Sequence, residues 1–172
     1  MRQPEGAPAG VADAGGGPAD GGPARFLIFT LGAQDYALPL EVVVEVAAYR
    51  APTPVPGADR AVEGIAPLRG RMVTVIDTRH RLGLAPRRGG GNPKLIVVRE
   101  ARELVGLVVD AVTRVAPVAT ADLTPVPASL GLSRSSAFSG MVSRGGRCLL
   151  LIDPKALLGG ADGLQAGAGE RP

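Results

Sequence analysis

The apolar residues of this chain fall into short runs separated by Gly, Pro and charged residues. That pattern predicts strands and tight turns rather than long helices. Residues 25–31, RFLIFTL, form a β-favouring run closed by Gly32. Gly32 to Asp35 reads as a turn, and Tyr36-Ala37-Leu38 returns as a second strand that Pro39 ends. Leu40 to Val44 fits one helical turn, and Glu45 to Tyr49 a further strand. Residues 51–60, APTPVPGADR, hold three prolines and a glycine, which leaves a rigid loop with few helix or sheet options.

The most informative stretch follows, Gly64 to Gly83, GIAPLRGRMVTVIDTRHRLG. Two apolar runs meet at Gly70, which supplies the turn conformation a β-branched residue cannot adopt. This places Arg69 at the end of the first strand, beside the turn, and Arg79 and Arg81 in a short polar turn after the second. Residues 85–93, APRRGGGNP, form an internal linker. Lys94 to Arg99 is a buried strand, Glu100 to Glu103 turns the chain, and Leu104 to Val109 returns. Asp110 to Val118 continues as a strand interrupted at Pro117, and Thr120 to Leu132 is loop-like. Ser139–Ser143 and Arg147–Ile152 pair around Gly145-Gly146, a dipeptide that tolerates the two positive φ angles of a two-residue hairpin. Asp153 caps a last short helix with Pro154 in its first turn, ending at Leu158. The sum is about ten short strands with little helix: an all-β protein built as a pair of small barrels. The halves carry no exact sequence repeat.

Composition sharpens the boundaries. The chain has 172 residues, 25 of them Gly and 16 Pro. Residues 1–24 and 159–172 are rich in Gly and Ala without apolar periodicity, so both read as disordered tails, leaving 25–158 as the folded part. The tails carry two arginines against five carboxylates, a net −3 that leaves +6 on the body of this +3 chain. A basic body favours anionic partners. Its arginines are scattered, and three Phe, two Tyr and no Trp offer little for base stacking, which argues against nucleic acid. One cysteine, Cys148, forms no internal disulfide and suits a reducing cytoplasm. No run is long enough for a membrane span.

Catalytic patterns are weak. His80 is the only histidine, Cys148 lies beside Leu149 and Leu150 as a small hydrophobe would, and the carboxylates stand singly. A hydrolase using His80 needs a nucleophile and an orienting group that no spacing supplies. In Gly89-Gly90-Gly91-Asn92-Pro93-Lys94 the glycines precede a lysine, but Pro93 and a following strand are unlike a phosphate loop, which opens a helix. Neither a cofactor nor a metal is expected. Arg69 is the candidate interaction residue: a single exposed ion pair gives only about 0–1 kcal/mol, whereas an arginine desolvated at an interface centre is worth about 2 kcal/mol or more.

Four blocks together resemble the CheW-like domain family: Phe26–Gly32 with Tyr36–Leu40 and Val44–Val46; Gly64–Asp77; Val105–Val112; and Phe138–Val142 with Cys148–Asp153. They span the whole folded part in order. The resemblance implies two intertwined five-stranded SH3-like barrels with a few short helices and no catalysis. It implies an adaptor, cytoplasmic and attached to membrane receptor arrays, that couples chemoreceptor tips to the regulatory domain of a CheA-type histidine kinase and meets other CheW-like domains. Arg69 would contact the receptor, with Val43 and Glu45 on the neighbouring surface. The Pro52–Asp59 loop, in the first barrel, would face the kinase, with Pro52, Val55, Pro56 and Asp59 as its contacts. The family pattern has Asn before Leu-Arg-Gly where this chain has Pro67. The same fold could instead serve a chemosensory-like kinase governing surface motility or development; the alternative from a different class, suggested by the basic body, is a small nucleic-acid-binding β-barrel.

Overall fold

The structure is a computed structural model that describes residues 22–159. It contains ten strands: β1 Ala24–Leu31, β2 Gln34–Pro39, β3 Val43–Ala48, β4 Val62–Leu68, β5 Arg71–Asp77, β6 Lys94–Glu100, β7 Glu103–Val109, β8 Ala111–Val118, β9 Phe138–Arg144 and β10 Arg147–Ile152. Two short α-helices, α1 Thr78–Leu82 and α2 Pro154–Leu158, follow β5 and β10. The strands form two five-stranded sheets, one ordered β8-β1-β2-β10-β9 and the other β3-β6-β7-β5-β4. The first, the terminal barrel, joins early and late parts of the described residues through the parallel pair β2–β10, with Tyr36 opposite Leu150. The second, the central barrel, is built from the middle of the chain.

Runs that are apolar at every position are explained by burial on both faces. From β1, Leu27, Phe29 and Leu31 enter a core shared by the two sheets, where they meet Ile76, Ile96, Val98, Val105 and Leu107 of the central barrel. Phe26 and Ile28 point the other way, into the terminal barrel with Ala37, Val142 and Leu151. The central barrel has its own inner cluster of Val73, Val75, Leu95, Val97, Leu104 and Val108. Each such side chain contributes roughly 1.5–3 kcal/mol on burial, and the shared core packs the two sheets against each other.

Several sequence expectations need correction. Arg69 lies within the hairpin turn, because Leu68 pairs directly with Arg71. Arg79 and Arg81 are helical, in α1, and largely covered. Pro117 does not interrupt β8; it is paired opposite Arg25, and β8 is an edge strand, which needs no donor on its free side. The proline-rich loop does reach a sheet, since Thr53 exchanges both backbone hydrogen bonds with Ile65 of β4. The linker at 85–93 does not part the barrels, because it runs from α1 to β6 inside the central one. The strand expected from Glu45 begins at Val43. Of the expected tails, Ala24 belongs to β1 and Gly159 ends α2 in the left-handed conformation. Residues 1–21 and 160–172 lie outside the described residues.

The structure also exposes a repeat. Residues 61–83 and 137–159 correspond position by position, 76 residues apart (Asp77 with Asp153), and eight of those positions are identical. In each copy a strand, a two-residue turn and a second strand lead into an Asp-capped helix that ends on a left-handed glycine, Gly83 or Gly159. The Asp77 and Asp153 amides donate to Ala61 and Ala137 at 2.8 and 2.9 Å. Thr53–Ile65 is matched by Thr124–Met141.

Candidate functional site

The turn of the β4–β5 hairpin is Arg69-Gly70, with φ of 49° and 77°. Its counterpart in the repeat is Gly145-Gly146, with φ of 57° and 75°. Both are two-residue turns with positive φ at each central position, the geometry that matches strand twist and favours glycine. The terminal barrel obeys that preference; the central barrel places an arginine there. A left-handed L-residue costs roughly 1–2 kcal/mol. The strain therefore coincides with an exposed charged side chain, 79% accessible.

Arg69 is nonetheless held. Its Nε donates to Oε2 of Glu45 at 2.8 Å, and Glu45 is 23% accessible on β3. β3 and β4 are the two edges of the central sheet, so this pair bridges the seam of the barrel. A second bridge lies further along, where the Tyr49 hydroxyl donates to Glu63 Oε2 at 2.7 Å. Burial, chiefly, and the adjoining Glu63 carboxylate push the Tyr49 phenol above its usual range, so it stays a donor. With Nε engaged, both terminal nitrogens of Arg69 are left for an incoming acceptor. They form a planar fork matched to a carboxylate. Val44 and Val46, the sequence neighbours of Glu45, and Met72, after the turn, are exposed apolar residues.

The other predicted contacts divide. Val43 is half-buried and packs against the shared core. Pro67 is exposed on edge strand β4, where it pairs with Met72 and a missing donor is tolerated. On the 51–60 loop, Val55 and Pro56 are exposed and Pro52 is half-buried. Asp59 is engaged within the chain, where its Oδ1 accepts the Ala61 amide at 2.8 Å and lies 3.9 Å from Arg81. The loop is thus brought against β4, next to the hairpin that carries Arg69, by the Thr53–Ile65 bridge.

Two residues that looked like ordinary turn residues tie the barrels together. Asp110, between β7 and β8, accepts from Arg79 Nη2 and from the Gly32 amide through one oxygen, each at 2.6 Å. It links α1, the β1–β2 turn and the crossing between barrels. Arg81 Nη2 donates to the carbonyl of Leu158 at 3.1 Å, joining α1 to the end of α2. Both sets of partners are distant in sequence; the repeat marks α1 and α2 as equivalents, whereas Asp110 and Gly32 lie outside it.

The catalytic candidates do not assemble. His80 is exposed. Cys148 is half-buried, and burial raises its thiol above the ordinary value, which disfavours the thiolate. Among the described residues no three His, Cys, Asp or Glu side chains gather as a metal site, and no helix is long and apolar enough to cross a membrane.

A model of the CheW-like domain matches residues 25–162. The chain is 30% identical over 134 residues to the chemotaxis protein CheW of Klebsiella aerogenes, covering 78% of this chain and 81% of that one. It is 28% identical over 129 residues to CheW of Rhizobium meliloti, covering 75% and 83%. Among solved structures it resembles the scaffolding protein TtCheW from Thermoanaerobacter tengcongensis, with a TM-score of 0.71 and 27% identity over 79% of this chain and 88% of that one.

Proposed function

Because the chain belongs to the CheW-like domain family, we propose that it is a non-catalytic adaptor joining the cytoplasmic tips of chemoreceptors to the regulatory domain of a CheA-type histidine kinase. The observation that carries the residue assignment is Arg69. It occupies a turn position that the sister hairpin gives to glycine, it is tethered by Glu45 at one nitrogen, and its fork points outward. Backbone strain kept at an exposed charge has no internal gain larger than one surface ion pair, about 0–1 kcal/mol. A docking role accounts for it.

In this reading Arg69 receives an acidic side chain of the receptor tip, and Val44, Val46 and Met72 supply apolar contact around it. Glu45 serves chiefly by holding Arg69, and Val43 by packing beneath β3. The 51–60 loop faces the kinase through Val55 and Pro56, whereas Asp59 shapes the loop. The adaptor works where the receptors are, at the membrane surface.

The test is binding of the purified chain to an immobilised receptor signalling tip and, separately, to a CheA regulatory domain. Saturable binding to both is expected. Binding to neither removes the proposal.

A further inference from the structure

A cavity of about 470 Å³ lies between the 85–93 linker and the junction of the two barrels. It is bounded by Gly32, Arg79, Arg87, Arg88, Gly91 and Asp110. Arg79 and Asp110 neutralise each other at 2.6 Å. The Arg87 guanidinium lies over the Tyr49 ring, 5.3 Å from its centroid. Arg88 forms no ion pair with a described residue. Two positive charges thus line the cavity without an acidic partner. A smaller adjoining cavity, about 190 Å³, shares Arg79, Arg87 and Asp110 with it and adds Glu63 and Asp77, while Arg88 lines only the larger one.

The volume is that of a small-molecule site. Its wall contains no aromatic ring on which a nucleobase could stack. Guanidinium forks match phosphate oxygens in pairs, and Gly90 and Gly91 present backbone without side chains to the cavity. This is not a phosphate loop, since Lys94 starts strand β6 and no helix opens there. We propose that this cavity binds a compact multivalent anion of the pyrophosphate class, held by Arg87 and Arg88, and that the ligand fastens the linker to the junction between the barrels.

Sodium pyrophosphate titrated into the full chain at constant ionic strength, followed by calorimetry, tests this. One saturable site is expected, with inorganic phosphate at least tenfold weaker. The Arg87→Ala/Arg88→Ala variant should lose at least tenfold in affinity, and Arg25→Ala/Arg99→Ala, with the same loss of charge elsewhere, less than twofold. Hydrogen exchange across 85–93 should slow when pyrophosphate is bound. No saturable heat, equal affinity for phosphate, or equal losses in the two double variants would overturn the assignment. If Arg87→Ala disturbs folding through Tyr49, Arg88→Glu alone decides: a tenfold loss supports the site and an unchanged affinity removes it.

Discussion

Arg69→Gly should separate folding from docking. The substitution removes an exposed ion pair to Glu45, a loss of about 0–1 kcal/mol. It also removes the left-handed strain at φ 49°, a gain of about 1–2 kcal/mol. Glycine makes the unfolded chain freer, a cost of roughly 0.5–1 kcal/mol. These contributions nearly cancel, so stability in urea should stay within about 1 kcal/mol of the parent. The sister turn, already Gly145-Gly146 with nearly the same angles, is the internal precedent. Binding to a receptor signalling tip, measured by titration calorimetry, should weaken by about 2 kcal/mol, or roughly 30-fold. A stability loss above about 2 kcal/mol would make Arg69 structural. Unchanged tip binding would refute its role as the contact, whatever the stability.

Other outcomes follow from the same geometry. Gly64→Ala puts a Cβ 2.1 Å from the Thr53 carbonyl oxygen at φ 149°, so urea denaturation should show a loss of about 3 kcal/mol or more; its counterpart Gly140→Ala, with 3.1 Å to the Thr124 oxygen, should lose clearly less. Asp110→Ala strands a largely covered Arg79 and frees the Gly32 amide, and a loss of about 2–3 kcal/mol is expected in the same assay, below the range for a fully buried pair because Asp110 is partly exposed. Both tyrosines are pushed above the ordinary phenol value of about 10, chiefly by burial. A phenol whose folded value is raised stabilises the protein below the unfolded value and loses that contribution as pH rises through the folded one; the 295 nm titration of the native chain should therefore lie above that of the urea-unfolded chain, and coincident curves would contradict the burial of Tyr36.

The strands were legible in the sequence because their causes are local. Gly145-Gly146 suits a two-residue hairpin, Asp153 and Pro154 mark a helix start, and RFLIFTL reads as a β-favouring strand closed by Gly32. What stayed hidden is carried by distant pairings. Nothing beside Tyr36 announces that it lies next to Leu150, and Asp110 looks like one more turn carboxylate until Arg79 and Gly32 are brought to it. Arg69 was legible as exposed and charged. Its tether to Glu45 was not, because β3 and β4 meet only when the sheet closes. The repeat could have been found from spacing alone, since Gly64, Gly70, Asp77 and Gly83 all recur 76 positions later. Of its eight identities, Gly70, Asp77 and Gly83 are turn or cap positions, where backbone geometry restricts the residue, and Ala61, Ile76 and Leu82 are buried apolar positions; most of the other apolar positions vary in type.

The central claim is that this chain bridges two partners, and a three-component retention assay tests it most directly. A receptor signalling tip is immobilised, and a CheA regulatory domain is passed over it with and without the chain. The account predicts that the kinase domain is retained only when the chain is present, and that Arg69→Gly abolishes the retention while leaving the chain's own binding to the kinase domain intact. Retention that does not depend on the chain, or a chain that excludes the kinase domain once it has bound the tip, would contradict it.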